Sequence, residues 1–286
     1  MEAEKTIRTF NDATAIVTGA ASGIGRGLAI ELAKRGSEVV LADLQREKAE
    51  CLAAEINAAG GRASAAELDV SSFPDTERVV RETKDRTGRL DYMFNNAGIA
   101  IIGDASKYTI EDWNRVIRIN LNGVVNGVQA AYQVMIEQGF GHIVNTSSLG
   151  GLVPLPGNVA YSATKHAIVG LSTSLRTEAA MLGVRVSVIC PGFVRTEIFN
   201  RGGKFGKSVV NLSDYQQQRL IDSYERYKPV SAEIFAAKAL DLVAKNRAII
   251  VLPAKWRLVW LIGRLFPSLS IKVSKKTFTD FKKISD

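Results

Sequence analysis

Residues 14–25 read T-A-I-V-T-G-A-A-S-G-I-G, a short apolar run followed by a glycine cluster, and a helical pattern then continues to Arg35. An apolar run of this length indicates a buried strand. Glycines let the chain turn tightly, and a helix that begins there offers unpaired N–H groups to a phosphate. The spacing G-x-x-x-G-x-G differs from the common G-x-G-x-x-G fingerprint, and glycines also serve packing. We predict a strand–turn–helix unit whose turn binds a nucleotide, with packing as the alternative.

The same alternation continues along the chain. Further strands are predicted at 38–42, 63–68, 90–95, 141–147, 184–190 and 248–252, and helical stretches lie between them, the longest near 110–138 and 160–182. Apolar strands alternating with helices indicate a parallel sheet covered on both faces. We therefore predict an α/β fold, a three-layer doubly wound parallel sheet of about seven strands, in a single domain over residues 1–252.

Composition places the chain among ordinary globular proteins. Of its 286 residues 46% are hydrophobic and 23% charged, and its opening residues are charged. No apolar run approaches the ~20 residues of a membrane-spanning helix. The chain has two cysteines, Cys51 and Cys190, which suggest neither a disulfide framework nor a metal site. Its two histidines, His142 and His166, have no cysteine or carboxylate at the spacing of metal ligands, so we expect them to be structural and expect no metal. These features favour a cytoplasmic protein.

An acidic residue closes the second predicted strand. Asp43, followed by Leu44, comes 18 residues after Gly25. In dinucleotide folds an acidic residue about 20 residues after the glycines binds ribose hydroxyls and repels a 2′-phosphate. Arg46 follows closely and could meet such a phosphate. We favour NAD over NADP, with Asp43 as a mere helix cap as the alternative.

A tyrosine and a lysine stand four residues apart in Y-S-A-T-K, residues 161–165. On a helix this spacing places both on one face, roughly 6 Å apart along the axis. Tyr224 and Lys228 have the same spacing, but Pro229 disfavours helix at Lys228. Spacing alone does not separate a catalytic pair from surface residues.

Six short motifs, taken in their order along the chain, resemble those of a known family. The chain contains T-G-A-A-S-G-I-G at 18–25, N-N-A-G at 95–98, Asn120 in N-L-N-G, S-S-L-G-G around Ser148, Y-S-A-T-K, and P-G-F-V-R-T at 191–196. In this order they resemble the short-chain dehydrogenase/reductase family, from about residue 12 to residue 252. The resemblance implies a Rossmann-type fold and an NAD(P)-dependent oxidoreductase.

The resemblance also implies roles for individual residues. Tyr161 would be the catalytic acid/base and Lys165 its activator, Ser148 would hydrogen-bond the substrate oxygen, and Asn120 would anchor a water in the proton relay. Lowering the tyrosine pKa from ~10 towards neutrality requires roughly 4 kcal/mol. The lysine ammonium and a positively charged nicotinamide are expected to supply it. The implied cofactor-binding residues are Gly19, Ser22, Gly23, Ile24, Gly25, Asp43, Leu44, Asp69, Val70, Asn96, Ala97, Gly98, Tyr161, Lys165, Pro191, Gly192, Val194 and Thr196.

Hydride transfer between nicotinamide and a secondary alcohol or ketone suits this set of residues. We expect the substrate pocket to be lined by Leu149, Val153, Leu155, residues 99–102 and a mobile lid over about 197–228. This apolar wall favours an apolar alcohol or ketone, and NAD favours the oxidative direction. A non-catalytic nucleotide-binding regulatory protein is the alternative. Family members commonly pair through two long helices, so the resemblance implies a homodimer or homotetramer.

The C-terminal stretch, residues 253–286, extends beyond the resemblance and is basic. Residues 255–286 contain eight lysines and arginines but only two aspartates, in a chain of net charge +8. Trp256, Trp260, Leu261, Leu265 and Phe266 are predicted to share one face of an amphipathic helix. We favour packing of this face on the domain or another subunit, with peripheral membrane contact as the alternative. Without a recognised nucleic-acid-binding fold, we expect no nucleic-acid partner.

Overall fold

A computed structural model describes residues 6–196, 206–209 and 214–285. Seven parallel strands form the central sheet in the order β3-β2-β1-β4-β6-β7-β9, and β5 pairs with β8 apart from it. The predicted seven-stranded α/β fold is thus confirmed, with strand ends within about two residues of those predicted. The strands are β1 (Thr14–Thr18), β2 (Glu38–Asp43), β3 (Arg62–Glu67), β4 (Tyr92–Asn95), β5 (Ala100–Ile102), β6 (Gly141–Thr146), β7 (Val184–Pro191), β8 (Gly206–Ser208) and β9 (Ile249–Leu252).

Helices cover both faces of this sheet. They are α1 (Gly23–Lys34), α2 (Arg46–Ala58), α3 (Phe73–Thr87), α4 (Ile110–Val116), α5 (Gly123–Gln138), α6 (Val159–Ala179), α7 (Asp214–Glu225), α8 (Ala232–Ala244), α9 (Trp256–Leu265) and α10 (Pro267–Ser285). Alternate residues of a strand point to opposite faces. Accordingly Val17 packs in the core with α1 and α8, whereas Ile16 packs with α3 and α5. The protein therefore has the three layers that the sequence predicts.

The order of the strands locates the cleft. The chain proceeds outward from β1 to β2 and β3, then returns to β4 on the other side of β1. In open parallel sheets, ligands bind outside the carboxyl ends of the strands where the order reverses in this way. The glycine turn after β1 lies at this point.

The predicted helix over 110–138 is interrupted. A π-helical turn at Ile117–Asn122 separates α4 from α5 and contains the fully buried Asn120. Such turns add a residue to the helix and re-aim the side chains that follow. Helical periodicity alone does not reveal it.

The C-terminal extension consists of two helices, not one. Trp256 and Trp260 face inward onto the core, whereas Leu261, Leu265 and Phe266 are exposed, so the five residues do not share a face. The helix α9 ends at Leu265, and Phe266 adopts a non-helical conformation before Pro267 begins α10. In the described part of the chain, no helix is both long and apolar enough to cross a bilayer.

Candidate active site

In the turn after β1, glycines allow the backbone to pass close to Ala97 and to the first turn of α1. Gly19 has φ +64°, and a Cβ there would lie 2.9 Å from the Cα of Ala97. A Cβ on Gly25 would lie 2.1 Å from the carbonyl oxygen of Gly19, so the start of α1 can approach the turn only with glycine. Ser22 occupies the N-cap without a side-chain capping bond. The first-turn N–H groups of α1 are thus available to an anion.

Asp43 connects the end of β2 to this turn. Its buried carboxylate accepts hydrogen bonds from the Ala21 amide at 2.9 Å and the Gln45 amide at 2.8 Å. The N-cap of α2 is Gln45, so Asp43 is not the helix cap of the alternative interpretation. Each oxygen accepts one of these bonds and can accept another, and because Asp43 lines the cleft its carboxylate suits ribose hydroxyls. Arg46, the candidate partner of a 2′-phosphate, instead pairs with Glu50 at 2.8 Å.

The segment after β4 lies against the glycine turn. The Thr18 hydroxyl accepts hydrogen bonds from the amides of Asn96 at 2.9 Å and Ala97 at 3.0 Å, and the Asn96 side chain donates to the Thr18 carbonyl at 3.1 Å. These bonds hold the N-N-A-G segment as a wall of the cleft. Its glycine, Gly98, is positioned so that a Cβ there would lie 3.5 Å from the Lys165 nitrogen.

Asn120 lies behind this wall. Its side-chain oxygen accepts from the Ile99 amide at 2.8 Å, and its nitrogen donates to the Ile99 carbonyl at 2.9 Å and to Thr164 at 3.4 Å. The side chain therefore joins the π-helical turn, the segment after β4 and helix α6. It holds the residues that line the cleft.

Tyr161 and Lys165 lie on the first turns of α6, next to the end of β6. The lysine nitrogen is 5.4 Å from the centre of the Tyr161 ring and donates to the Thr146 carbonyl at 2.8 Å. Ser148, at the N-cap of a short turn, hydrogen-bonds the Tyr161 hydroxyl. The Ser147 hydroxyl donates to the Lys165 carbonyl at 2.7 Å and so fixes α6 on the sheet. A serine, a tyrosine and a lysine therefore converge on one point.

In the protein without a cofactor, burial has the largest effect on the pKa values of Tyr161 and Lys165. It raises the pKa of Tyr161, and the Ser148 hydrogen bond opposes this rise only in part. Burial also lowers the pKa of Lys165 to about 8. Tyr161 and Lys165 by themselves therefore do not produce the expected lowering of the tyrosine pKa, because desolvation disfavours the charged form of each side chain.

The segment 191–196 closes the other side of the cleft. Gly192 donates its amide to the Leu252 carbonyl at 2.8 Å, and the Tyr224 hydroxyl donates to the Val194 carbonyl at 2.7 Å. Tyr224 thus lines the cleft as part of α7, whereas Lys228 lies beyond the end of that helix with φ +51°. Tyr224 and Lys228 therefore do not share a helix, as the position of Pro229 predicts.

These elements enclose a cleft of about 250 Å³. Every predicted catalytic or cofactor-binding residue lines it except Asn120 and Gly25, which lie directly behind its wall. Of the expected substrate-pocket residues, Ile99 and, within the predicted lid, Tyr224 line the cleft. Of the predicted lid, residues 197–205 and 210–213 lie outside the described residues, and the described part contains β8 and α7. The cleft also has lining residues that the sequence did not predict: Leu68, Arg115, Ile119, Thr146 and Ser147.

Comparison with known proteins places these features in one family. Residues 13–204 match the short chain dehydrogenase family. Oxidoreductase UcpA of Salmonella typhimurium is 42% identical over 184 residues, which cover 64% of this chain and 70% of that protein. Cyclohexanol dehydrogenase of an Acinetobacter species is 36% identical over 190 residues, which cover 66% and 76% respectively.

A solved structure extends the likeness to the whole fold. The crystal structure of a short chain dehydrogenase/reductase from Burkholderia phymatum in complex with NAD superposes with a TM-score of 0.81 at 27% identity. The match covers 92% of this chain and 96% of that chain. The cleft at the carboxyl ends of β1, β2 and β4 is accordingly the candidate nucleotide site.

Proposed function

This chain belongs to the short-chain dehydrogenase family, and on that basis we propose that it transfers a hydride between NAD and an apolar secondary alcohol or ketone, with Tyr161 as the acid/base. The observation that carries the proposal is the convergence of Ser148, Tyr161 and Lys165 at one end of a cleft whose other end is a glycine-lined helix N-terminus. The dinucleotide supplies the hydride acceptor when bound.

The residues present fit a dinucleotide. The N-terminus of α1 and the crowded glycines would receive the pyrophosphate, and Asp43 would bind the adenosine ribose. Asp69 and Val70 would flank the adenine, and residues 191–196 would lie over the nicotinamide. The buried carboxylate of Asp43 supports NAD over NADP, because a 2′-phosphate there would meet like charge. Arg46, the cation nearest in sequence, pairs with Glu50 at 2.8 Å on the exposed surface of α2.

The side chains at the catalytic end have separable roles. The Tyr161 hydroxyl exchanges a proton with the substrate oxygen, and the Ser148 hydroxyl hydrogen-bonds that oxygen as its charge develops. Lys165 would hold the nicotinamide ribose, and its ammonium, when protonated, favours the phenolate. Since burial alone raises the pKa of Tyr161, the phenolate depends on positive charge at the cofactor end of the cleft. Asn120 acts as a positioning residue through Ile99 and Thr164.

Two observations support an alcohol or ketone as the substrate class. The lining of the cleft includes Ile99, Ile119 and Val194, which favours an apolar substrate. A relative of 36% identity is named for cyclohexanol, a secondary alcohol. With NAD as the cofactor, we propose alcohol oxidation as the cellular direction.

We further propose a cytoplasmic homodimer or homotetramer that pairs through α5 and α6. Along α6 the exposed residues Ala163, Ala167 and Gly170 are small, and a Cβ on Gly170 would meet open space. Small residues permit the backbones of two helices to approach closely. Light scattering at fixed concentration measures the mass, and a monomer would contradict this assembly.

The test is nucleotide binding followed by turnover. Titration with NADH and NADPH, followed by fluorescence, should show tighter binding of NADH, and a panel of apolar secondary alcohols should yield NAD reduction for at least one member. Binding with no turnover on any alcohol or ketone would favour a non-catalytic regulatory protein instead. Absence of nucleotide binding would overturn the site itself.

A further inference from the structure

The helix α9 has two faces of different kinds. Trp256 and Trp260 pack on the core beside Cys190 and Val251, and Gly263 lies against the loop before α6, where a Cβ would be 3.0 Å from Val153. These positions, four and three residues apart, form the inner face. The helix is therefore held on the domain by one side only.

The opposite face of α9 is apolar and exposed. Leu258, Leu261, Ile262 and Leu265 lie within about 100° of arc on this helix. Their exposed fractions run from 39% for Ile262 to 70% for Leu265, and Phe266 after the helix is 59% exposed. Among the described residues, 21 large hydrophobic side chains are exposed, and nine of them lie between 258 and 273. Such a concentration marks a contact surface, unlike scattered single residues.

The charges around this face select the kind of partner. Arg257 and Arg264, seven residues apart, border it on one side, and Lys272, Lys275 and Lys276 follow on α10. In the described part of the extension, Asp280 is the one acidic residue. Symmetric pairing with a second copy would bring these like charges together, which opposes association. An anionic surface matches both the apolar face and its cationic border.

We propose that α9 lies in the interface of an anionic lipid bilayer, with Leu258, Leu261, Ile262 and Leu265 among the acyl chains and the arginines at the headgroups. The helix has 10 residues, about 15 Å of length, which is too short to cross a hydrocarbon core of about 30 Å. A short amphipathic helix with cationic borders lies in the plane of such an interface.

This surface adjoins the cleft. The indole of Trp256 lies against Gly192, and its ring centre is 5.1 Å from that of Phe193. Phe193 in turn packs on Tyr224 with ring centres 5.1 Å apart, and both Gly192 and Tyr224 line the cleft. The docked helix thus begins at the cleft wall.

The experiment is flotation of the full chain with vesicles, which needs no turnover. Vesicles of phosphatidylcholine alone and vesicles that also contain phosphatidylglycerol are compared at low and high salt. We expect flotation with the anionic vesicles that weakens as salt rises. The double variant Leu261→Ser/Leu265→Ser should lower the partition coefficient about tenfold or more. Arg264→Glu should lower it with anionic vesicles.

The matched control is Met181→Ser/Leu182→Ser, which removes two exposed hydrophobic side chains in the short turn after α6. It should float as the wild type does. NADH binding by every variant checks that the cleft is folded. Absent flotation, equal flotation of wild type and the α9 variant, or a fall in the assembly mass of the α9 variant with no change in flotation would each overturn the proposal. Failure of turnover with normal flotation would contradict only the proposed function.

Discussion

The buried His142 should make the stability of the protein depend on pH. It lies in β6 opposite Tyr92 and is fully covered. Its Nε2 is 2.8 Å from the Ser187 hydroxyl, which itself donates to the Arg247 carbonyl at 2.7 Å. The ring therefore donates from Nε2, and its buried Nδ1 has no hydrogen-bond partner among the described residues. Burial first, then the charges of Arg185 and Arg176, lower the pKa of His142 from 6.5 to about 3.

The sign and size of the effect follow from linkage. In the unfolded chain His142 binds a proton near pH 6.5, whereas in the folded chain it binds one only near pH 3. The contribution of His142 to the unfolding free energy is therefore fully present above pH 6.5 and is lost as the pH falls from 6.5 to 3. Between pH 8 and pH 5 this one residue should remove about 2 kcal/mol of unfolding free energy.

Urea unfolding at pH 8 and pH 5, at one protein concentration, measures this loss. In His142→Phe, which keeps a ring beside Tyr92, the difference between the two pH values should shrink by about 2 kcal/mol relative to wild type. The exposed His166→Gln serves as the control and should retain the wild-type difference. An unchanged pH dependence in His142→Phe would refute the reasoning.

Three substitutions test the cleft. Asp43→Ser should reduce the preference for NADH over NADPH about tenfold, and an unchanged ratio in paired titrations would make the carboxylate purely structural. Gly25→Ala forces a Cβ to within 2.1 Å of a backbone oxygen and should abolish NADH binding, whereas Gly170→Ala, which meets open space, should retain it. Ser148→Ala should lower kcat about 10²–10³-fold with NADH affinity unchanged, and wild-type turnover would exclude the serine from catalysis.

The sheet was predictable because its determinants are local. The strand β1 is an apolar run, β7 is rich in valine and isoleucine, and glycines at 19, 23 and 25 mark the strand-to-helix turn. Parallel pairing and layering then follow from general rules of α/β folds. Most predicted cleft residues follow a strand, so the topology brings them to the same edge of the sheet.

The features of the cleft and of the C-terminal extension that the sequence did not predict depend on contacts between residues far apart in the chain. Thr146 lines the cleft because β6 ends beside α6, an arrangement that has no local sequence pattern. The raised pKa of Tyr161 reflects how completely the fold covers the ring. In the C-terminal extension, the packing of Trp256 and Trp260 on the core decides which face of α9 points inward, and composition alone cannot locate this contact.

The central claim is that Tyr161 exchanges the proton during hydride transfer, and Tyr161→Phe tests it most directly. On an alcohol that the wild type oxidises, kcat at saturating NAD should fall about 10²–10⁴-fold, whereas the NADH dissociation constant should change by less than about threefold. Tyr132→Phe, on α5 away from the cleft, provides the matched control with wild-type kcat. Wild-type turnover by Tyr161→Phe would contradict the account.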